Sequence, residues 1–181
     1  FVRVGPLKFI EQNLLHFPQA QTASSAYGSA MHFAVEQYFI NFSNTGKYQD
    51  RDSVKMNFQK ALERARLPEN DYKKYLEDGL EKIEIYAKYL ERRKILPNTK
   101  VEVKFKNEGV SLGDCEIAGN IDRMEFIDDN EIIVTDLKTG ESYDTFDELG
   151  LADYEKVKLH FYQYQLAFYA LLIENSRSYS K

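Results

Sequence analysis

Two stretches of alternating polar and apolar side chains, residues 115–127 (CEIAGNIDRMEFI) and 131–138 (EIIVTDLK), are parted by the turn-forming triplet Asp128-Asp129-Asn130. The pattern predicts an antiparallel hairpin. A hairpin is a strong constraint, because its register decides which side chains share a face. With Ile127 paired to Glu131 across the triplet, Met124 opposes Val134, Phe126 opposes Ile132 and Asp122 opposes Asp136. Period two then puts these residues, with Lys138, on one face, and turns Arg123 to the other as an ion-pair partner. A two-residue loop would shift the register by one and lose this sorting of apolar from charged residues.

Directly opposed carboxylates, with Cβ atoms about 4.5–5.5 Å apart, destabilise a sheet. Three compensations are open: the ammonium of Lys138, a divalent cation between the carboxylates, or a raised pKa on one aspartate. A surface ion cluster on a twisted hairpin is the plainer alternative for so short a motif.

Outside the hairpin the period is helical before residue 97 and after residue 155. Helices are expected over 7–16, 26–43, 53–66, 70–94 and 156–175. Their inward stripes include Met31, Val35, Tyr38, Phe39 and Phe42, then Val54, Phe58, Leu62 and Ala65, then Leu76, Leu80, Ile83, Ala87 and Leu90. Residues 100–106 (KVEVKFK) alternate as a further strand, with Val101, Val103 and Phe105 on one side and Glu102 on the other, read as a solvated face ahead of an acid supporting the site. Helices on either side of a β-meander over 100–138 give an α+β class, with a central mixed or antiparallel sheet. The 181 residues suit one domain, and the missing initiator Met predicts a piece of a longer or processed chain.

Composition narrows the function. At 43% hydrophobic and 29% charged the chain has enough apolar material for a core. No run is long enough to cross a bilayer as a helix. The lone Cys115, expected as a small core residue, excludes an intramolecular disulfide and any four-cysteine metal site within this chain. The net charge of −5 argues weakly against nucleic acid, yet residues 141–155 hold six acids and no Lys or Arg, so the remainder is close to neutral. Lys73, Lys74, Lys82, Lys88, Arg92, Arg93 and Lys94 line one helix face, which reads as solvated ahead of phosphate-facing. Lys156, Lys158 and His160 are candidate DNA-backbone contacts.

Four patterns occur in order: Gly28-x-x-x-His32, Gly119-x-Ile121-Asp122-Arg123, Asp136-Leu137-Lys138-Thr139-Gly140 and Gln165-x-x-x-Tyr169. From about Tyr27 to Ile173 the chain resembles the RecB-like branch of the PD-(D/E)XK nuclease superfamily. It is most similar to the nuclease domain at the C-terminal end of UvrD/Rep-type helicases and exonuclease V subunits. The resemblance implies a restriction-endonuclease-like core and a metal-dependent, exonuclease-type deoxyribonuclease of DNA repair or recombination. It implies Mg²⁺ as cofactor with Mn²⁺ also active, no iron–sulfur cluster, DNA and a helicase motor as partners, and a cytoplasmic location. By resemblance His32, Asp122, Asp136 and the Leu137 backbone carbonyl are metal ligands. Asp122, Asp136 and Lys138 are catalytic, and Gln165 and Tyr169 are substrate or support residues. Lys138 has three open roles: orienting water, stabilising developing charge, or acting as base. A fold that binds DNA or braces a helicase without cutting is the alternative, and a protein-docking role for the acidic loop is a third.

Overall fold

A computed structural model describes residues 5–17, 21–93, 96, 98–140 and 150–180. A short helix α1 (Gly5–Phe9) runs into a π-helical turn (Ile10–Leu14). Three longer helices follow: α2 (Ala23–Thr45), α3 (Arg51–Arg64) and α4 (Glu69–Arg92). The strands are β1 (Thr99–Lys104), β2 (Ser111–Leu112), β3 (Cys115–Glu116), β4 (Asn120–Phe126) and β5 (Ile132–Thr135), and α5 (Asp153–Glu174) closes the order.

The helix boundaries have local causes. The Thr22 side chain accepts the Ser25 N–H at 3.1 Å and the Asp50 side chain accepts the Ser53 N–H at 2.9 Å, so α2 and α3 are both N-capped. Gly46, at φ 68°, ends α2 in the left-handed conformation that glycine adopts without a Cβ penalty. Within the helices the expected stripes turn inward: Tyr38, Phe39, Phe58, Leu62, Ile83 and Leu90 are all buried in one cluster. Gly79 allows the closest crossing. A Cβ built there would lie 2.1 Å from Phe58 Cζ, so α4 meets α3 ring-against-backbone.

The sheet has the order β1-β4-β5, antiparallel throughout, and β2-β3 is a separate small hairpin between β1 and β4. The predicted register is observed: Met124 pairs with Val134 and Phe126 with Ile132. Ile127 N–H donates to Glu131 C=O at 3.0 Å. The turn is tightened by Asp128 Oδ1, which accepts from Asn130 and Glu131 N–H at 2.7 and 3.0 Å. The ladder stops at Arg123–Thr135, before Asp122 and Asp136 can pair.

Several expectations need correction. Val101 packs with the α2–α4 cluster, whereas Val103 and Phe105 join a second cluster with Ile121, Met124, Tyr169 and Leu172. The alternation breaks at Glu102, whose φ is 48°, an unusual value for a side-chain-bearing residue. Cys115 is exposed, because it sits on the two-residue strand of the small hairpin and the buried part of this stretch begins only at Ile121. The predicted strand 115–127 is therefore two pieces. Residues 141–149 of the acidic loop lie outside the described residues.

The sheet thus lies between a layer of three helices and α5. Gly119 sets the second contact: a Cβ there would be 2.8 Å from Leu172 Cδ1 and 3.1 Å from Phe168, so α5 sits directly on the strand entering β4. Among the described residues no helix is long and apolar enough to cross a membrane.

Because the α3–α4 crossing has no room for a side chain, Gly79→Val should lower stability by about 1–3 kcal/mol, the usual cost of overpacking. Urea unfolding measures this directly, and Phe58→Leu in the same chain should return part of the loss. An unchanged midpoint would show that the crossing tolerates the added bulk.

Candidate metal centre and active site

Helix α2 carries His32 to the edge of the sheet. One turn earlier Gly28 faces the segment after β5, where a built Cβ would come to 3.4 Å from Thr139 Oγ1. The i, i+4 spacing puts glycine and histidine on the same helical face. His32 Nε2 lies 3.1 Å from the Leu137 carbonyl oxygen, and its Nδ1 lies 3.7 Å from Asp122 Oδ2.

Asp122 organises this corner. Its Oδ2 accepts the Leu137 backbone N–H at 2.7 Å, in place of a continued ladder. The side-chain acceptor draws residues 136–138 against β4 while keeping the two aspartates from being paired head-on. Glu102, next to Asp122 on β1, completes the group: His32, Glu102 and Asp122 each offer a ligand atom, all within 4.8 Å of one another. A pocket of about 10 Å³ has His32, Glu36, Glu102, Asp122 and Leu137 in its lining. That is near the space one water-sized sphere needs.

The electrostatics agree with a cation site. Burial raises the Asp122 carboxyl above the usual aspartate range, and the Asp136 charge adds to it, against the opposing pull of the Leu137 N–H and His32. Burial likewise raises Glu102, reinforced by Asp122 and Glu36. Acids gathered where water is scarce resist ionisation until a positive charge joins them. One imidazole, two carboxylates and a nearby carbonyl suit a small divalent ion.

Asp136 is engaged elsewhere. Its Oδ1 accepts from Gln165 Nε2 at 2.9 Å and Tyr169 Oη at 2.7 Å, and its Oδ2 meets Lys138 Nζ at 2.6 Å. Gln165 closes the network: its Oε1 accepts from Lys138 at 2.9 Å, and its Nε2 also donates to Tyr169 at 2.6 Å. Burial, then the hydrogen bond and charge of Asp136, raise the Tyr169 phenol strongly, so it stays a neutral donor. Gln165 and Tyr169 are one turn apart on α5, which brings both to the same carboxylate.

The structure therefore brings His32, Asp122 and the Leu137 carbonyl together, and places Asp136 with Lys138, Gln165 and Tyr169 beside them. The three-donor group contains Glu102, which sequence reasoning put on a solvated face. Its one available signal was its place opposite Asp122 once β1 and β4 are paired. Arg123 reaches the helix layer, with its guanidinium carbon 4.8 Å from the Phe39 ring centre, and also lines the small pocket that Asp122 lines. It is 3% exposed and donates to Tyr86 Oη at 2.8 Å and Thr135 Oγ1 at 2.9 Å. Its Nε faces Glu125 Oε1 at 3.2 Å as an ion pair without hydrogen-bond alignment. The basic face of α4 is solvated in the expected way: Lys73, Lys82 and Lys88 pair with acids one turn earlier.

The geometry defines an α+β domain with a candidate histidine–carboxylate cation site beside an Asp-x-Lys segment. The chain belongs to the PD-(D/E)XK nuclease superfamily, whose family model matches residues 3–181. Membership implies metal-dependent nuclease activity, and the helices and small antiparallel sheet are consistent with its restriction-endonuclease-like fold. No curated protein and no solved structure gives a significant match.

Titration with Mn²⁺ by calorimetry should show saturable binding. Glu102→Gln and Asp122→Asn should each weaken it by about tenfold or more, since even outer partners of metal ligands cost that much. Equal affinity in wild type and both variants would rule out this group as the cation site.

Proposed function

We propose that this domain is a Mg²⁺-dependent deoxyribonuclease of exonuclease type, with Mn²⁺ as an effective substitute. We place it in the RecB-like branch of the superfamily, acting beside a helicase motor on cytoplasmic DNA in repair or recombination. The observation that carries the reading is the juxtaposition of two sets: the donors His32, Glu102 and Asp122, and the Asp136–Lys138–Gln165–Tyr169 network. The four ordered motifs on which the resemblance rests support the finer assignment.

In this reading His32, Asp122 and Glu102 would hold the cation, and Asp136 and the Leu137 carbonyl would join them by exchanging their present partners, Lys138, Gln165 and Tyr169 for the one and His32 for the other. A bound divalent cation supplies neutralising charge at a phosphoryl oxygen and lowers the pKa of water. The chain's own residues do the rest. Lys138 has three N–H donors. Asp136 and Gln165 take two of them. Nζ also lies 5.2 Å from the centre of the Tyr162 ring, and its third N–H would turn to negative charge developing on the phosphate. Asp136 and Gln165 hold the ammonium in place before substrate arrives, which favours the charge-stabilising role for Lys138. Tyr169 fixes the Asp136 carboxylate from the opposite side. Water adds to phosphorus and gives up a proton to solvent, one ester P–O bond breaks, and the departing alkoxide takes up a proton from solvent.

End-labelled single-stranded and duplex oligonucleotides test the proposal. Cleavage should require Mg²⁺ or Mn²⁺ and stop in EDTA. Asp136→Asn and Lys138→Ala should each reduce kcat at least about a hundredfold, the loss expected for one charge-stabilising group, with the unfolding midpoint of Lys138→Ala close to wild type. Metal-independent cleavage would sink the mechanism. Binding of DNA without cleavage under either metal would leave the bracing-module alternative instead.

A further inference from the structure

Gln165 and Tyr169 do not exhaust the face of α5 that meets the site. Lys158, Tyr162, Gln165 and Tyr169 follow one another at spacings of four, three and four, which puts all of them on one side of a helix. Gln165 and Tyr169 reach Asp136 from that side. The same face carries Tyr162 and Lys158 onward, toward the N-terminal end of α5.

Lys156, Lys158 and His160 were grouped by sequence as backbone contacts, and the structure separates them. Lys156 Nζ turns to Asp153, 3.8 Å from its Oδ1. The exposed His160 meets Tyr164 edge-on, with ring centres 6.4 Å apart. Lys158 stands over the Tyr162 ring instead, with Nζ 5.9 Å from its centre. Lys138 Nζ approaches the same ring to 5.2 Å. Two ammoniums from separate elements thus share one aromatic ring, whose π-electrons attract both. Lys158 also borders the segment that follows Lys138. A Cβ built at Gly140 would touch Lys158 Nζ at 3.6 Å, so glycine there puts no side chain over the ammonium.

Two like charges held near each other repel, and their summed field draws in anions. A nucleic-acid strand is a chain of such anions. In the nuclease reading Lys138 faces the phosphate being cut, so the charge that Lys158 meets belongs to another phosphate of the same strand. We infer that Lys158 is a phosphate-binding residue, which holds a phosphate neighbouring the scissile one and so fixes the register of the strand on the metal centre. A contact of this kind positions the strand and reads no base. The inference rests on the nuclease reading and deepens it.

Steady-state kinetics of the full chain on end-labelled oligonucleotides test this, with a neutral methylphosphonate replacing the phosphate at successive positions from the cleaved bond. For wild type, replacement at one position beside that bond should raise KM about tenfold, the scale of one hydrogen bond between charged groups. Lys158→Ala should raise KM about tenfold on the unmodified strand, and no further when that position is neutral. It should also lower the slope of log KM against log salt by about 0.7–0.9, the share of one phosphate contact. Lys158→Arg keeps the cation and should recover most of the affinity. Lys60→Ala removes one exposed charge from α3 and should do none of this. If the alanine variant unfolds, Lys158→Gln carries the same comparison. An unmoved KM at Lys158, equal losses at Lys158 and Lys60, or losses that multiply at every methylphosphonate position overturn the contact and leave the nuclease intact. A wild-type chain that cuts no DNA with Mg²⁺ or Mn²⁺ overturns the nuclease reading and the contact with it.

Discussion

The hydrogen bond from the Leu137 N–H to Asp122 Oδ2, at 2.7 Å, is the constraint on which the site depends. It replaces the rung that the β4–β5 ladder would otherwise make beyond Arg123–Thr135. A backbone rung would have held Asp122 and Asp136 opposite each other. The side-chain rung holds the same strand in the same place but separates the carboxylates. One stays with His32 and Glu102, and the other turns to α5. On the next peptide plane the Leu137 carbonyl meets the imidazole, 3.1 Å from His32 Nε2. A single acceptor thus sets the positions of both halves of the proposed machinery.

Gathering acids at a half-buried corner is costly, and the structure manages that cost by distributing partners. Asp136 has three donors, from Lys138, Gln165 and Tyr169. Glu102 and Asp122 are less fully served, and both are pushed toward the protonated form by burial and by each other. Such an arrangement is destabilising as it stands and would be relieved by a cation. Glu102 adds backbone strain through its left-handed φ. Strain of this kind persists where the surroundings over-determine a conformation, often at functional sites. The paired neighbours Val101–Arg123 and Val103–Ile121 supply that determination on either side.

Much of this was legible in the residues alone. The hairpin register followed from apolar and charged side chains sorting onto separate positions, and the helix stripes followed from their period. His32 and the Gln165–Tyr169 pair came from the family resemblance, and helical spacing added only that each lies one turn from a partner on the same face. Glu102 was not readable, because alternation assumes an unbroken strand and the φ of Glu102 breaks it. The separation of Asp136 from Asp122 was hidden for a related reason: nothing in local spacing tells a backbone acceptor from a carboxylate acting as one. Cys115 misled because its strand was judged from the apolar pattern, while the small hairpin holding it protrudes from the core.

Arg123 ties these features to the rest of the fold. It is buried one residue from Asp122, and its contacts run to Tyr86 on α4, to Thr135 just before Asp136, and to the Phe39 ring on α2, 4.8 Å from the guanidinium carbon. A planar guanidinium with donors in fixed directions can join three elements at once, which a lysine in its place could not. Its charge is balanced by Glu125, itself only 1% exposed. Removing one member of such a buried pair leaves an uncompensated charge and costs several kcal/mol, about 3–5 in typical cases. Arg123 thus ties β4 and the end of β5, next to Asp122 and Asp136, to α4 and to α2, which carries His32. For a candidate site whose donors come from separate elements such ties matter, and the ligand atoms of His32, Glu102 and Asp122 lie within 4.8 Å of one another.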